Sequence, residues 1–307
     1  MLRDILPTKL VDVFETKINY STLNEIRFRM DKPVVVFMNG QAFFLAENGL
    51  TNNVNHAVVA SKTMIEDIVY RASECSIYSV NEQIKLGFVM SANGVRVGLA
   101  GTIVMENNQI KTIRDFSSLN IRIPHEIRGC CLDAFSDIVT SGGIKNTLVL
   151  SPPGCGKTTF LRDFLKQLSS KNYCLNVLVV DERGEIACMS DKGQAFDIGN
   201  FSDIISFSSK MRAIDHGVRV LSPNLIVTDE LAGGDDVEAV IRAINSGVGV
   251  VSSIHADSIE MLKRKKDFSP LVENKYFERY VVLSNRKGPG TCEGIYDENF
   301  RRISHFS

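Results

Sequence analysis

Net charge is nearly absent from this chain. Its 307 residues carry 35 lysines and arginines against 36 aspartates and glutamates, a formal charge of −1. A protein that grips nucleic acid through bulk positive charge is not expected, although a local basic groove is not excluded. No apolar run reaches 18 residues, so no segment is expected to span a membrane. Docking onto a membrane protein stays open. The start, Met1-Leu-Arg-Asp-Ile-Leu-Pro7, is too short in apolar length and charged too early for a signal peptide. Seven cysteines, at 75, 130, 131, 155, 174, 188 and 292, form no Cys-x-x-Cys pair. Their odd count and scatter fit small buried residues in a reducing cytosol. What remains is ordinary for a soluble globular protein: 44% hydrophobic and 23% charged residues. The length suggests two domains or one large one.

The stretch from Thr147 to Arg162 organises the chain. Thr147 to Leu150 reads as a buried strand, and Ser151-Pro-Pro-Gly154-Cys-Gly156 as a small-residue loop. A helix follows, with Phe160, Leu161, Phe164, Leu165 and Leu168 on its apolar side. Strand, glycine loop and helix in that order make a P-loop. Gly154 and Gly156 let the backbone turn its N–H groups toward phosphate oxygens. The helix starting near Lys157 adds the positive end of its dipole. Pro153, Gly154, Cys155, Gly156, Lys157, Thr158 and Thr159 are therefore the expected nucleotide-binding residues. Lys157 would reach the β- and γ-phosphates, Thr158 would ligate Mg²⁺, and Thr159 would bond the α-phosphate. Ser151 stands where the usual pattern has its first glycine.

The first half mixes helical and hairpin patterns, an α+β arrangement without an evident βαβ run. Residues 3–18 and 57–75 have helical spacing. Leu23–Met30 alternates like a half-exposed strand, and Val34–Met38 with Ala42–Leu45 reads as a hairpin about Asn39-Gly40. Phe88–Met90 and Val95–Leu99 are further strands, and Leu119 begins one that ends at Pro124. Arg27, Arg29, Arg96, Arg114 and Arg122 read as solvated sheet faces, with contact to a neighbouring subunit's nucleotide as the alternative. A helix over 126–140 is expected to open the second half. The domains expected are residues 1–125 and 126–307.

After residue 146, strands and helices alternate in a doubly wound α/β pattern, which places ligands beyond the carboxyl ends of the strands. Three strand tips carry polar residues: Asp181-Glu182-Arg183-Gly184-Glu185, Asp229-Glu230 and His255. Asp229 at the tip of Asn224–Thr228 is placed to hold Mg²⁺ through water, and Glu230 to act as general base. Spacing does not choose among Asp181, Glu182 and Glu185 for orienting water or metal. Arg183 would contact the γ-phosphate or pair with these acids. His255 is a candidate γ-phosphate sensor. Arg212 and Arg219 are candidates for contact across a subunit interface or for plain surface charge. Tyr276–Leu283 and Gly294–Asp297 suggest a hairpin tail.

With these residues in view, the chain resembles the stage III sporulation AA family of endospore-forming bacteria, a branch of the secretion-type ATPases of type II, type IV and pilus systems. The resemblance covers nearly the whole chain. It rests on Leu23-Asn-Glu-Ile-Arg-Phe-Arg29, Gly94-Val-Arg-Val-Gly98, Pro152–Thr159, Val180-Asp-Glu-Arg-Gly-Glu-Ile186, Ser222–Glu230 and Lys287-Gly-Pro-Gly-Thr291. It implies a RecA-like P-loop ATPase domain preceded by a smaller α+β domain. It also implies catalytic roles for Glu182, Glu185, Glu230 and His255 beside Lys157, with ATP and Mg²⁺ as cofactors. A hexameric ring with nucleotide between subunits is implied. So is a peripheral cytoplasmic place on the mother-cell side, powering a channel to the forespore built from integral membrane proteins. Asp229 departs from the wider family, which often has glycine there.

Three rival readings are weaker on the residues. Asp181-Glu-Arg-Gly184 matches the D-x-x-G of a GTP switch, but no Asn-Lys-x-Asp base-reading motif follows. A RecA-type nucleic-acid motor would want a basic stripe with aromatics, which is missing. An ATP-binding scaffold with little hydrolysis would not need Glu230.

Overall fold

The computed structural model describes residues 2–76, 80–91, 93–125, 127–171, 173–190, 193–194 and 196–303. The chain divides into two compact units, residues 1–125 with 188–195 and residues 126–187 with 196–307.

The first unit is built on helix α1 (Thr8–Lys17) and strands β1 (Leu23–Arg29), β2 (Val35–Met38), β3 (Gln41–Ala46), β4 (Gly49–Thr51), β5 (Phe88–Met90), β6 (Arg96–Glu106) and β7 (Gln109–Arg122). The strands form one sheet in the order β4-β3-β2-β1-β7-β6-β5, antiparallel throughout. In β1 the side chains of Ile26 and Phe28 are buried while Arg27 and Arg29 lie outward, the two-residue period of a half-covered sheet. Helices α2 (Lys62–Ala72) and α3 (Asn81–Lys85) contribute Ile65, Ile68, Val69 and Ile84 to the core.

Two sequence expectations change here. The helix expected over 57–75 begins only at Lys62, because Ser61 caps it by accepting Met64 N–H at 3.1 Å. Residues 58 and 60 are instead drawn into backbone pairing with Leu45, Val34 and Lys32. The strand ending before Pro124 starts ten residues earlier than Leu119, in a long hairpin turned by Asn107 and Asn108, both at positive φ.

The second unit opens with α4 (Leu132–Ile138), shorter than the helix expected over 126–140; Glu126 lies outside the described residues. The β-branched Val139 and Thr140 end the helix in a small hairpin, β8 (Val139–Thr140) with β9 (Gly143–Ile144). Then follow β10 (Thr147–Ser151), α5 (Lys157–Ser170) and β11 (Val177–Asp181). A short ribbon, β12 (Met189–Ser190) with β13 (Gly193–Gln194), belongs to the segment grouped with the first unit. The alternation resumes with β14 (Ser202–Ser206), α6 (Lys210–Leu221), β15 (Leu225–Glu230), α7 (Gly234–Asn245), β16 (Gly249–His255), α8 (Ile259–Arg264) and α9 (Ser269–Glu273). It ends in the expected hairpin, β17 (Arg279–Ser284) with β18 (Thr291–Asp297).

Sheet order is β14-β11-β15-β16-β10-β17-β18, parallel except for the last pair. Central strands of a parallel sheet are covered on both faces, which is why β10, β11 and β15 read as mostly apolar runs, β10 and β11 buried along their length and β15 as far as Asp229. One placement matters for function. Strand β16 lies between β10 and β15 and pairs with both. The carboxyl tips of β10, β16, β15 and β11 therefore stand in a row at one end of the sheet. Among the described residues, no helix is long and apolar enough to cross a membrane.

Candidate active site

The loop after β10 has the backbone expected from its glycines. Gly154 and Gly156 sit at φ +74° and +90°. A Cβ on Gly156 would stand 2.4 Å from the Gly290 nitrogen, so no other residue fits without displacing the β17–β18 turn. That turn is fastened to the loop by the Gly290 N–H donating to the Cys155 carbonyl at 2.8 Å. Helix α5 begins at Lys157 with no side chain capping its first turn. Its first N–H groups and the positive end of its dipole are therefore suited to receive an anion at the loop. Ser151, in the position of the usual first glycine, is fully buried and donates its hydroxyl to the Pro152 carbonyl at 2.9 Å. Cys155 is buried, Pro153 and Gly154 are exposed, and Thr158 and Thr159 are half-buried on the first turn of α5.

Strand register brings His255 to this loop, because β10 and β16 pair Ser151 with His255. Lys157 Nζ lies 2.6 Å from His255 Nδ1 and 3.5 Å from the Ser151 and Pro152 carbonyls. His255 Nε2 lies 2.8 Å from Glu230 Oε2. An ammonium can only donate, so Nδ1 accepts; a carboxylate can only accept, so Nε2 carries the proton. The imidazole is thus neutral and bridges a cation to an anion. Burial first, and the Lys157 charge second, hold His255 below its ordinary value of 6.5, which agrees with a neutral ring. Burial likewise lowers Lys157, against the opposing pull of Glu230 and Glu185. Arg183 places Nη1 3.6 Å from Glu230 Oε2.

The acids after β11 separate into different roles. Asp181 is fully buried and accepts the backbone N–H groups of Glu185, Ile186 and Ala187 at 2.8 to 3.1 Å. It shapes the loop rather than facing out of it. From the other side Arg162, on α5, donates to the Glu185 and Ile186 carbonyls at 2.9 and 3.0 Å. Glu182 leaves this group and pairs with Lys210 on the first turn of α6. Glu185 bears electrostatically on Lys157.

Asp229 ends β15 beside Glu230. Only 7% exposed, it places Oδ1 2.9 Å from Lys210 Nζ, and its Oδ2 accepts the Arg183 N–H at 3.3 Å. Oδ2 thus has a hydrogen bond, while the buried Oδ1 is ion-paired with Lys210 without a hydrogen bond of good geometry. The loop and Thr158 suit a metal-bound nucleotide, and Asp229 beside them is held by Lys210 and the Arg183 N–H. Arg212 and Arg219 are exposed on α6. In the first unit, Arg27 and Arg122 pair with Glu25, and Arg96 stacks on Phe88.

Sequence reasoning passed over two of these parts. Lys210 is 2% exposed and ties Glu182, Asp229 and, at 3.8 Å, Asp236 to one charge. Its one signal was a lysine in the first turn of a helix, the end that repels cations. Asp163 on α5 accepts the N–H groups of Gly129 and Cys131 at 2.9 Å, pinning the approach to α4.

Known proteins agree with this architecture. The family model described as sporulation stage III, protein AA, matches residues 2–303. Stage III sporulation protein AA of Bacillus subtilis (strain 168) is 35% identical over 287 residues, which is 92% of this chain and 89% of that protein. Among solved structures, the ATPase DotB of Legionella pneumophila superposes with a TM-score of 0.56 at 13% identity, covering 97% of this chain and 80% of that one. The pilus retraction motor PilT with bound ADP gives 0.57 at 14%, covering 89% and 76%. At such identities the likeness is one of fold, that of a P-loop secretion ATPase with a preceding domain. By the family match and by its identity to the Bacillus subtilis protein over nearly the whole length of both, the chain belongs to the sporulation stage III protein AA family.

Proposed function

We propose that the second unit binds ATP with Mg²⁺ and hydrolyses it as the motor of a sporulation-associated channel. The observation that carries this reading is the row Lys157–His255–Glu230, which joins the glycine loop to the carboxylate at the tip of β15. Simple nucleotide storage needs the loop alone. A carboxylate positioned by a neutral imidazole is what a hydrolase adds.

In this reading the loop N–H groups and Lys157 hold the β- and γ-phosphates, and Thr159 lies toward the α-phosphate. Thr158 holds the ion, which neutralises charge on the phosphates when bound. Glu230 takes the proton of the attacking water. His255 keeps Glu230 oriented through its Nε2 proton. When a triphosphate engages Lys157, His255 loses that partner. The change reaches Glu230 through one hydrogen bond, so occupancy of the loop and the aim of the base are linked. Glu185 and Arg183 complete the polar rim.

The family match supports the biological side of the proposal. The chain works as a ring, six subunits in the wider type, with nucleotide completed between neighbours. It sits in the cytoplasm against integral membrane proteins of a channel between mother cell and forespore. The test is ATP turnover per subunit measured against protein concentration. Turnover that rises with concentration supports sites completed between subunits; flat turnover contradicts the ring. The same assay with single-stranded DNA decides against the nucleic-acid motor if turnover does not respond.

A further inference from the structure

We propose that Lys210 is a built-in counter-ion that takes over Asp229, so that Asp229 serves as an anchor for the site and not as a ligand of its metal. This rests on the ATP reading above and deepens it, because it states which acids remain for the ion and the water.

Asp229 is 7% and Lys210 2% exposed, in the second unit's sheet-to-helix layer. Neither charge is tolerable there alone. Lys210 also stands on the first turn of the twelve-residue helix α6, where the dipole disfavours a cation. Something must hold it there, and three carboxylates do. Asp229 Oδ1 is 2.9 Å away, Glu182 is in contact, and Asp236 Oδ2 is 3.8 Å away. Each acid comes from a different element: the tip of β15, the loop after β11 and the first turn of α7. Asp236 in turn accepts the Ala232 N–H at 2.8 Å, closing the loop that follows Glu230.

The second oxygen of Asp229 takes the Arg183 N–H at 3.3 Å. Its backbone carbonyl accepts the Ser252 hydroxyl at 3.0 Å, a bond from the neighbouring strand β16. Asp229 is thus hydrogen-bonded at Oδ2 and at its main chain, and its buried Oδ1 has the Lys210 ammonium as its counter-charge. Glu230, the next residue along, turns to His255 and Arg183 instead. Lys210 therefore sorts two adjacent carboxylates. It neutralises one and leaves the other to the reaction. Thr158 and the nucleotide's own phosphates are left to hold the ion. Asp229 and Lys210 act together as positioning residues for Glu230, through the tip of β15.

The test uses the full chain and Mn²⁺ as the probe, titrated by electron paramagnetic resonance with a non-hydrolysable ATP analogue. Asp229→Asn is expected to keep Mn²⁺ affinity within about threefold, since it leaves the ion's own partners in place. Weakening by about tenfold or more would make Asp229 a ligand or direct support of the ion and overturn the inference. Lys210→Met leaves Asp229 buried and unpaired, and turnover is expected to fall by roughly a hundredfold. Adding Asp229→Asn to it removes the stranded charge and is expected to recover most of that loss; no recovery contradicts the counter-ion role. If Lys210→Met does not fold, the double variant and Asp229→Asn alone decide the same question. Absence of nucleotide-dependent Mn²⁺ binding by the unsubstituted protein would overturn the ATP reading itself, and this inference with it.

Discussion

Two lysines stand near the same end of the sheet and do opposite things. Lys157 belongs to a row that is open toward the glycine loop: its partner His255 is neutral, and the row ends on the half-buried Glu230. Lys210 belongs to a closed knot of three carboxylates and is 2% exposed. An open row can exchange partners when a ligand arrives. A closed knot holds its geometry. Asp229 and Glu230 are neighbours in sequence, yet one lies in the knot and the other in the row. Environment, not residue type, assigns their roles.

The contrast can be broken most severely at its two ends. Glu230→Gln is expected to keep nucleotide binding and lower turnover by roughly 10²-fold or more, the size typical of losing a general base. Loss of binding to the same degree would mean that Glu230 holds the ligand instead. Lys157→Ala is expected to weaken nucleotide binding by about tenfold or more, about 1.4 kcal/mol, as read by a fluorescent ATP analogue. Stability should respond less there than at Lys210. Removing one partner of a buried ion pair costs about 3–5 kcal/mol, so Lys210→Met should lower the melting temperature far more than Lys157→Ala. Equal melting temperatures would erase the distinction between row and knot.

A smaller effect concerns pH. His255 has its proton affinity lowered by burial and by Lys157, so it stays neutral through its ordinary range and gains a proton only as pH falls below about 6.5. A protonated ring can no longer accept from Lys157. Turnover is expected to hold from about pH 7.5 to 6.5 and to decline below, and His255→Gln should flatten that acid limb. A limb that survives unchanged in the variant would belong to another group. The smallest effect is at Ser151, whose hydroxyl stands 3.5 Å from Lys157 Nζ. Ser151→Gly is expected to shift nucleotide affinity by no more than about threefold, because its main hydrogen bond is to a local carbonyl.

Much of the row was legible in the sequence. The glycine loop announces itself by Gly154 and Gly156 between a buried strand and an apolar-faced helix. Glu230 and His255 each end an apolar run, and a parallel sheet gathers such ends together. What sequence could not give was which neighbour each acid chooses. Asp181, Glu182 and Glu185 lie within five residues, but one serves the backbone, one serves Lys210 and one bears on Lys157. Those choices depend on helices α5 and α6 arriving from far along the chain. Strand β14 was also unreadable, since a half-exposed edge strand of Ser202-Asp-Ile-Ile-Ser206 has no apolar run to show. The expected helix over 57–75 failed at its start for a tertiary reason, because backbone pairing with the sheet overrode local spacing.

In the proposed function, Glu230 aimed by His255 makes this fold a hydrolase. The most direct measurement is steady-state ATP turnover of the unsubstituted chain beside Glu230→Gln, with nucleotide binding measured on both. Similar binding is expected, with turnover that collapses in the variant. Equal turnover in the two proteins would contradict it.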